Sequence, residues 1–353
     1  MKKSVISLLA FMLVQSAFAF PVRSDVELLM NMMSSVKSQK SRGTCTIFST
    51  IGLIEALLKI HREEDYDFSE EFLQYTVMSR QMDEGSTVNR NMKKLLFFGL
   101  PFEETWPYLG EKWRDWEANE LARERCSHLI GDDRPLPPLK SNSYPQNIFG
   151  SCLLGHRDPY LLRESDTYVE SIDPEFIPIR NEAKLNKEEL LKGFIVRKKS
   201  YLFETNEEVI KNHLSSGTPL IMGIKLFYGA WNHSKTEKFE IQKRDKSLWY
   251  RGIVGHPVEG SSDRLISGER GGGHSLVIVG HDDEVEVKSR MLMEDGTWKE
   301  TIHRGVYYFK NSWGVRGSGR DFTYNGKAYP GFGMMTQDYA HEFGKFYHIP
   351  VKN

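Results

Sequence analysis

Four side chains, far apart in this 353-residue sequence, are the types that acyl transfer by a thiol requires. That chemistry needs a thiolate, an imidazole that acts as base and then as acid, a group that orients the imidazole, and donors for the developing oxyanion. Cys45 is the candidate nucleophile, His274 the acid/base and Asn311 the orienting group. Gln39 offers side-chain N–H groups for the oxyanion, together with the backbone N–H of Cys45. Each residue type alone is common, so the prediction depends on their joint occurrence.

The segment that follows Cys45 must position the thiol. Apolar residues recur at helical spacing from Ile47 to Leu58, which predicts a helix over residues 45–60 with a broad buried face. Cys45 then lies in the first turn, where the helix dipole favours a thiolate by about 1 kcal/mol. A nearby imidazolium would add to this effect, so we expect conditions that lower the pKa of the thiol.

The remaining patterns predict helices early in the chain and strands late, which is typical of the α+β class. Helices are expected from Ser69 through Val77, from Asn89 to Phe98, near Asn186 to Leu191 with Asn186 as cap, and from a capping box of Thr205 and Glu208 through Leu214. Strands are expected at Leu220–Phe227, Ser275–Val279 and Val306–Lys310. His274 and Asn311 therefore lie at the ends of predicted strands.

Three segments of the sequence resemble the catalytic motifs of the papain-like cysteine peptidases. They are Gln39 with Gly43-Thr44-Cys45, Gly273-His274-Ser275 with the strand that follows, and Lys310-Asn311-Ser312-Trp313-Gly314. The resemblance implies the roles given above for Cys45, His274, Asn311 and Gln39. It also implies that Trp313 covers the contact between the asparagine and the histidine, and that Gly85, Ser86, Gly273 and Trp313 contribute to the substrate cleft.

The same resemblance implies a two-lobe fold with inserts. A mainly helical lobe is expected at about residues 20–200 and a lobe built as an antiparallel β-barrel at about 201–353, with the catalytic pair across the cleft. The resemblance further implies that the protein is a cysteine peptidase, which acts on a polypeptide through an acyl-enzyme intermediate. A proteinaceous inhibitor is a further partner that such a fold allows.

Several departures from the family pattern carry information. Arg42 stands where the family has the cysteine of a neighbouring disulfide. His274 follows Cys45 by 229 residues, against about 130–150 in the family, which predicts inserts within 110–200 and 228–270. We expect the second insert, which directly precedes His274, to shape the cleft. Few residues precede Cys45, so we also expect either no latency segment or occlusion of the cleft by an insert.

The first nineteen residues have the pattern of a secretory signal. Two lysines precede an apolar run from Val5 to Val14, and Ala17-Phe18-Ala19 forms a small-x-small cleavage site. The run is short for a bilayer-spanning anchor, which is the alternative. We therefore predict cleavage after Ala19, a secreted or periplasmic location, and a peptidase domain over residues 20–353.

Export permits disulfides, and the chain has three cysteines. If Cys45 stays free, Cys126 and Cys152 are the only pair available for a disulfide. The alternative is that all three cysteines are buried thiols.

Charge and motif content narrow the partners. Removal of Lys2 and Lys3 with the signal takes the formal charge from −1 to −3, so no global attraction to nucleic acid or to an anionic membrane is expected. The histidines at 274, 281 and 303 lack the spacing of a zinc site, and Gly271-Gly272-Gly273 precedes a strand, unlike a phosphate-binding loop. No metal and no cofactor are expected.

Two other functions remain compatible with these residues. One is a different thiol acyl-transfer enzyme on the same site, such as a transpeptidase or an amidase. The other is a non-catalytic binding protein that keeps the fold, although the presence of all four candidate side chains disfavours it.

Overall fold

The computed structural model describes residues 23–78, 84–111, 116–131, 148–194 and 202–351. The predicted signal peptide (1–19) and the proline-containing segment 132–144 lie outside these residues. The described helices are α1 (Val26–Met32), α2 (Cys45–Arg62), α3 (Glu70–Met78), α4 (Val88–Phe98), α5 (Trp116–Arg125), α6 (Ile148–Gly155), α7 (Asp166–Ile172), α8 (Phe176–Gly193), α9 (Glu207–Ser215), α10 (Lys235–Lys238), α11 (Lys246–Tyr250), α12 (Ser262–Arg270) and α13 (Gln337–Phe343). The strands are β1 (Leu202–Glu204), β2 (Leu220–Lys225), β3 (Ile253–Val254), β4 (Gly273–Leu292), β5 (Trp298–Lys310), β6 (Thr323–Tyr324), β7 (Lys327–Ala328), β8 (Phe332–Thr336) and β9 (Gly344–His348).

Helix α2 begins at Cys45, as the apolar periodicity predicts, and ends at Glu63 in the left-handed region (φ 58°). Every residue from Ile47 to Leu58 is buried, because the helix packs against the helical lobe on one side and against β4 on the other. The hydrophobic burial of this whole helix fixes the position of its N-terminus, and therefore of Cys45.

The helical lobe is closed by α3, α4 and α8 around a core that includes Phe72, Tyr75 and Phe176. Helix α4 ends at Gly99 (φ 77°), where an added Cβ would lie 1.7 Å from the backbone oxygen of Ala183 in α8. Only glycine allows this close approach. No membrane-crossing candidate is found among the helices of the described ranges, since none is both long and apolar enough.

Two predicted helix starts are wrong. The short helix expected at 186–191 is the end of α8, which begins ten residues earlier, and Asn186 uses its side chain to donate to the backbone oxygen of Leu100. Helix α9 is capped by Asn206, which accepts from the backbone N–H of Glu208 and Val209, and not by Thr205.

Seven strands form one sheet in the order β1-β9-β2-β4-β5-β8-β3. All neighbours are antiparallel except β3 and β8, which are parallel. This is the predicted β lobe. The described strands do not close into a barrel, because the two edge strands, β1 and β3, do not pair with each other. Strands β4 and β5 are longer than predicted, and their distal parts, residues 283–292 and 298–305, form a hairpin arm that extends beyond the other strands.

The described parts of the two predicted inserts contain helices, and the second also contains a strand. Within the first, a disulfide joins Cys126 after α5 to Cys152 in α6, with their Cα atoms 5.9 Å apart. The second, residues 228–270, contains α10, α11, β3 and α12 and packs on the β lobe. Its buried Asp263 accepts hydrogen bonds from the backbone N–H of Gly229 and Ala230 and thereby links the two ends of the insert.

Candidate active site

Cys45 is a free, partly exposed cysteine and the first residue of α2. The hydroxyl of the preceding Thr44 does not cap the helix; it lies 2.7 Å from the hydroxyl of Tyr108. The N–H groups of Ile47 and Phe48 donate to the backbone oxygen of Thr44, so those of Cys45 and Thr46 are the ones that can serve the sulfur or a bound oxyanion. The sulfur interacts with the backbone N–H of Thr46 and of Ser275, and Ser275 directly follows His274.

The predicted direction of the thiol pKa is wrong for the protein without substrate. Burial is the largest influence and raises the pKa of the Cys45 thiol, and the neighbouring backbone N–H groups lower it by less. Burial likewise lowers the pKa of His274 to about 4, against a smaller opposing effect of Asn311. Burial thus disfavours the charged form of each side chain, because each loses water that would solvate its charge.

His274 and Asn311 form the pair that the motifs predict. Nε2 of His274 lies 2.9 Å from Oδ1 of Asn311, which also accepts from the backbone N–H of Ser312. An amide oxygen can only accept, so Nε2 carries a proton and Nδ1 is the basic nitrogen. His274 and Asn311 are 5% and 4% exposed, which protects the contact from competing water.

Cys45 and His274 line the same cleft, of about 940 Å³. The hydrogen bonds of the described residues do not include one between the sulfur and the imidazole, whose side-chain partner is Asn311. Catalytic hydrogen bonds are often long before substrate binds and tighten in the complex, so this arrangement is compatible with proton transfer between the two side chains.

Gln39, the expected oxyanion donor, lines the same cleft as Cys45. Its Oε1 accepts from the hydroxyl of Ser312 at 2.7 Å, and its Nε2 donates one hydrogen to the backbone oxygen of Arg42 at 2.7 Å. These two bonds fix the orientation of the amide and leave the second hydrogen of Nε2 available. That hydrogen and the N–H of Cys45 are the two donors expected from the sequence.

Aromatic rings cover the His274–Asn311 contact. Trp313 stacks on the imidazole with ring centroids 4.5 Å apart, and Trp231 meets it edge-on at 5.8 Å. Trp249 stacks in turn on Trp313 at 5.4 Å. The role of Trp313 was expected from its motif, whereas the two tryptophans of the second insert were missed, and their only signal was the aromatic content of that stretch.

A buried ionic network, also missed, positions the loop before Cys45. The side chain of Arg42 is 1% exposed and lies 2.6 Å from Glu71 and 2.8 Å from Glu84. Glu84 also accepts from the backbone N–H of Gly43 at 2.9 Å. Arg42 thus connects this loop to α3 and to the segment before α4, at the position where the family pattern has a disulfide cysteine and this sequence does not.

The four predicted substrate-binding residues, Gly85, Ser86, Gly273 and Trp313, all line the cleft. A Cβ built at Gly85 or Gly273 would meet no described heavy atom within 4 Å, so these glycines keep the cleft open and do not serve close packing. The insert adds Tyr228, His233 and Lys235 to the cleft wall. No cluster of three or more His, Cys, Asp or Glu side chains in the described ranges could hold a metal ion.

Comparison with solved structures identifies the fold. Xylellain, a cysteine protease from Xylella fastidiosa, superposes with a TM-score of 0.51 at 17% identity, over 95% of this chain and 88% of that one. The chain has the papain-like fold. The fold that the motif resemblance implied is thereby confirmed.

Two further solved structures are similar to the papain-like chain. The cysteine protease and lectin-like domains of Cwp84 from Clostridium difficile give a TM-score of 0.48 at 15% identity, over 95% of this chain and 53% of that one. Bromelain from Ananas comosus, in complex with the E64 inhibitor, gives 0.43 at 13% identity, over 94% and 100%. No family model and no curated protein sequence matches the chain. Because one fold can carry several activities, the function is argued from the site itself.

Proposed function

We propose that this protein is a cysteine peptidase, with Cys45 as nucleophile, His274 as acid/base, Asn311 as orienting group and Gln39 as oxyanion donor. One observation supports the proposal above the others. A free thiol at the N-terminus of a buried helix and the imidazole of His274 from the other lobe line the same cleft, and Asn311 binds that imidazole. That is the arrangement which thiol acyl transfer needs.

The reaction starts with a proton transfer from the sulfur of Cys45 to Nδ1 of His274. Burial disfavours either charge alone, but the thiolate and the imidazolium form together, and their attraction opposes the cost of desolvation. The thiolate attacks the peptide carbonyl carbon, and the carbonyl oxygen, now negative, accepts from the N–H of Cys45 and the second hydrogen of Gln39 Nε2.

His274 then gives its proton to the leaving amine as the C–N bond breaks, which leaves a thioester on Cys45. Water attacks the thioester, its proton passes to His274, and the carboxylic acid departs as the thiol is restored. Asn311 keeps Nδ1 directed at the cleft throughout, and Trp313 excludes water from the hydrogen bond that holds the ring.

Covalent labelling tests the proposal directly. An epoxysuccinyl thiol-protease inhibitor should add to Cys45 in stoichiometric amount, because Cys126 and Cys152 are bonded to each other and cannot react. The matched control is Cys45→Ala, which should not be labelled and should not cleave denatured casein. Cleavage by that variant, or addition at any other residue of the intact protein, would refute the assignment.

The same preparation separates the alternative functions. A peptidase releases a free carboxylic acid from the acyl-enzyme, whereas a transpeptidase transfers the acyl group to an added amine in preference to water. Product analysis by mass spectrometry with and without an amine acceptor distinguishes the two. A non-catalytic binding protein would show neither product.

We also propose that the protein is exported and processed after Ala19. The disulfide between Cys126 and Cys152 supports this location, since such bonds persist in oxidising compartments. Expression of the full chain in a bacterium with a periplasm, followed by N-terminal sequencing of the recovered protein, should give Phe20 as the first residue. Retention of Met1 in a cytosolic form would contradict this proposal.

A further inference from the structure

A second large cavity lies outside the active-site cleft. It has a volume of about 910 Å³ and lies between the insert of residues 228–270 and the hairpin arm of β4 and β5. None of Cys45, His274, Asn311 and Gln39 lines it. Its volume is within the range of cavities that enclose a bound ligand, about 300–1,000 Å³.

The lining of this cavity is cationic. Its lining includes five basic residues and three acidic ones, of which Arg290 and Glu300 pair at 3.9 Å: Lys243, Arg244, Lys246, Lys288 and Arg290, with Glu237, Asp245 and Glu300. In the described part of the chain, none of the three lysines forms an ion pair. Asp245 accepts from the backbone N–H of Ser247 and Leu248 at the start of α11, so its charge is already partly compensated. The cavity therefore has unpaired positive charge to offer.

Exposed apolar side chains accompany these cations. Trp298 is 42% exposed and Ile302 is 61% exposed, and both belong to the part of β5 that lines the cavity. The guanidinium of Arg290 lies 4.6 Å from the ring centre of Trp298 and keeps that ring in place. Cations beside exposed apolar surface suit a polypeptide segment that carries both carboxylates and apolar groups. The recessed shape does not suit a flat bilayer surface.

The cavity adjoins the covered side of the catalytic pair. Arg244, on its wall, lies 5.0 Å from the ring centre of Trp249. Trp249 stacks on Trp313, and Trp313 stacks on His274. The rings of Trp249 and Trp313 thus connect the cavity wall to the imidazole.

We propose that this cavity is an accessory binding site for an acidic segment of a polypeptide. The identification of this segment as part of a substrate rests on the proposed peptidase function. The binding of an acidic segment to the cavity does not depend on that function. The insert would then add a second point of substrate attachment.

Binding is tested on the Cys45→Ala protein with a fluorescein-labelled deca-glutamate peptide, by anisotropy at low salt. The double variant Lys243→Gln/Lys288→Gln should bind about tenfold more weakly, which is the effect of two partly exposed charge pairs. The control Lys93→Gln/Lys299→Gln removes the same charge from exposed positions that do not line the cavity and should bind as well as the parent.

Three outcomes would overturn the proposal. One is equal binding by the two double variants. Another is a loss of binding only when Lys40 and Lys235, which line the cleft, are replaced, since the peptide would then occupy the cleft. The third is tighter, Lys243-dependent binding of a single-stranded oligonucleotide, which would assign the cavity to nucleic acid.

A kinetic experiment links the cavity to cleavage. A cleavable peptide with six glutamates on a flexible linker, attached at either end in turn, should have a KM about tenfold lower than the same peptide without the tail. The Lys243→Gln/Lys288→Gln enzyme should lose this difference and keep its kcat on the short peptide. If the double variant keeps the KM difference between the two peptides, the accessory site is refuted. If neither peptide is cleaved, only the peptidase function is refuted, because the anisotropy assay measures binding without turnover.

Discussion

The ionic network of Arg42 should be essential to the stability of the active-site loop. Arg42→Met removes the partner of two carboxylates, of which Glu71 is 2% exposed and Glu84 is 12% exposed in their side chains. Removal of one member of a buried ion pair costs about 3–5 kcal/mol, because the remaining charge is left without compensation. We expect a loss of this size in the free energy of unfolding, and slower inhibitor labelling of Cys45 because Glu84, which accepts from the N–H of Gly43, loses its ion-pair partner.

Urea denaturation gives the first quantity and the rate of epoxysuccinyl labelling the second. The matched control is Arg62→Met, which removes an ion pair with Glu189 at 3.7 Å in which both side chains are partly exposed, and which should cost under about 1 kcal/mol. In Arg42→Met/Glu71→Met the more deeply buried of the two carboxylates is gone and only Glu84 remains, so part of the loss should be recovered. If Arg42→Met unfolds within about 1 kcal/mol of the control, the network does not hold the loop, and the reasoning fails.

Three further results are expected. Asn311→Ala should lower kcat/KM by about tenfold to a hundredfold, since His274 loses a hydrogen bond worth about 1.5–3 kcal/mol. Steady-state kinetics measure this effect, and an unchanged kcat/KM would exclude Asn311 as the orienting group. Alkylation of Cys45 by iodoacetamide without substrate should accelerate with pH up to the raised pKa of the thiol, whereas a plateau from acid to neutral pH would show that a thiolate–imidazolium pair already exists. Gly99→Ala should destabilise the protein by several kcal/mol in thermal or urea unfolding, because the added Cβ would lie 1.7 Å from a backbone oxygen of α8. The control Gly217→Ala has a similar φ and no described atom within 4 Å of its Cβ, so it should cost about 1–2 kcal/mol. Equal losses in the two variants would contradict the steric explanation.

The parts of the fold that the sequence predicts are those that depend on local pattern. The start of α2 at Cys45 follows from apolar periodicity, and the end of α4 at Gly99 follows from a glycine stop. The pairing of His274 with Asn311 was available from motifs, because each motif places its residue at a strand end.

The parts that the sequence did not predict depend on partners far away in the chain. Arg42 finds Glu71 and Glu84 at separations of 29 and 42 residues, and no local pattern indicates this. Asn186 has the preferences of a cap, but its amide bonds to Leu100, so tertiary context keeps α8 continuous through it. The pKa of Cys45 was misjudged for a related reason: the helix terminus can be read from the sequence, whereas the burial that outweighs it cannot.

Ser312 bonds to two parts of the proposed active site. Its hydroxyl holds the amide of Gln39, its backbone oxygen accepts from the N–H of Gln39, and its own N–H binds the Asn311 oxygen that holds His274. Any drift of one lobe against the other would therefore loosen the oxyanion donor and misalign the imidazole in the same movement. Separation of the lobes would therefore disable the proposed oxyanion donor and the proposed acid/base together.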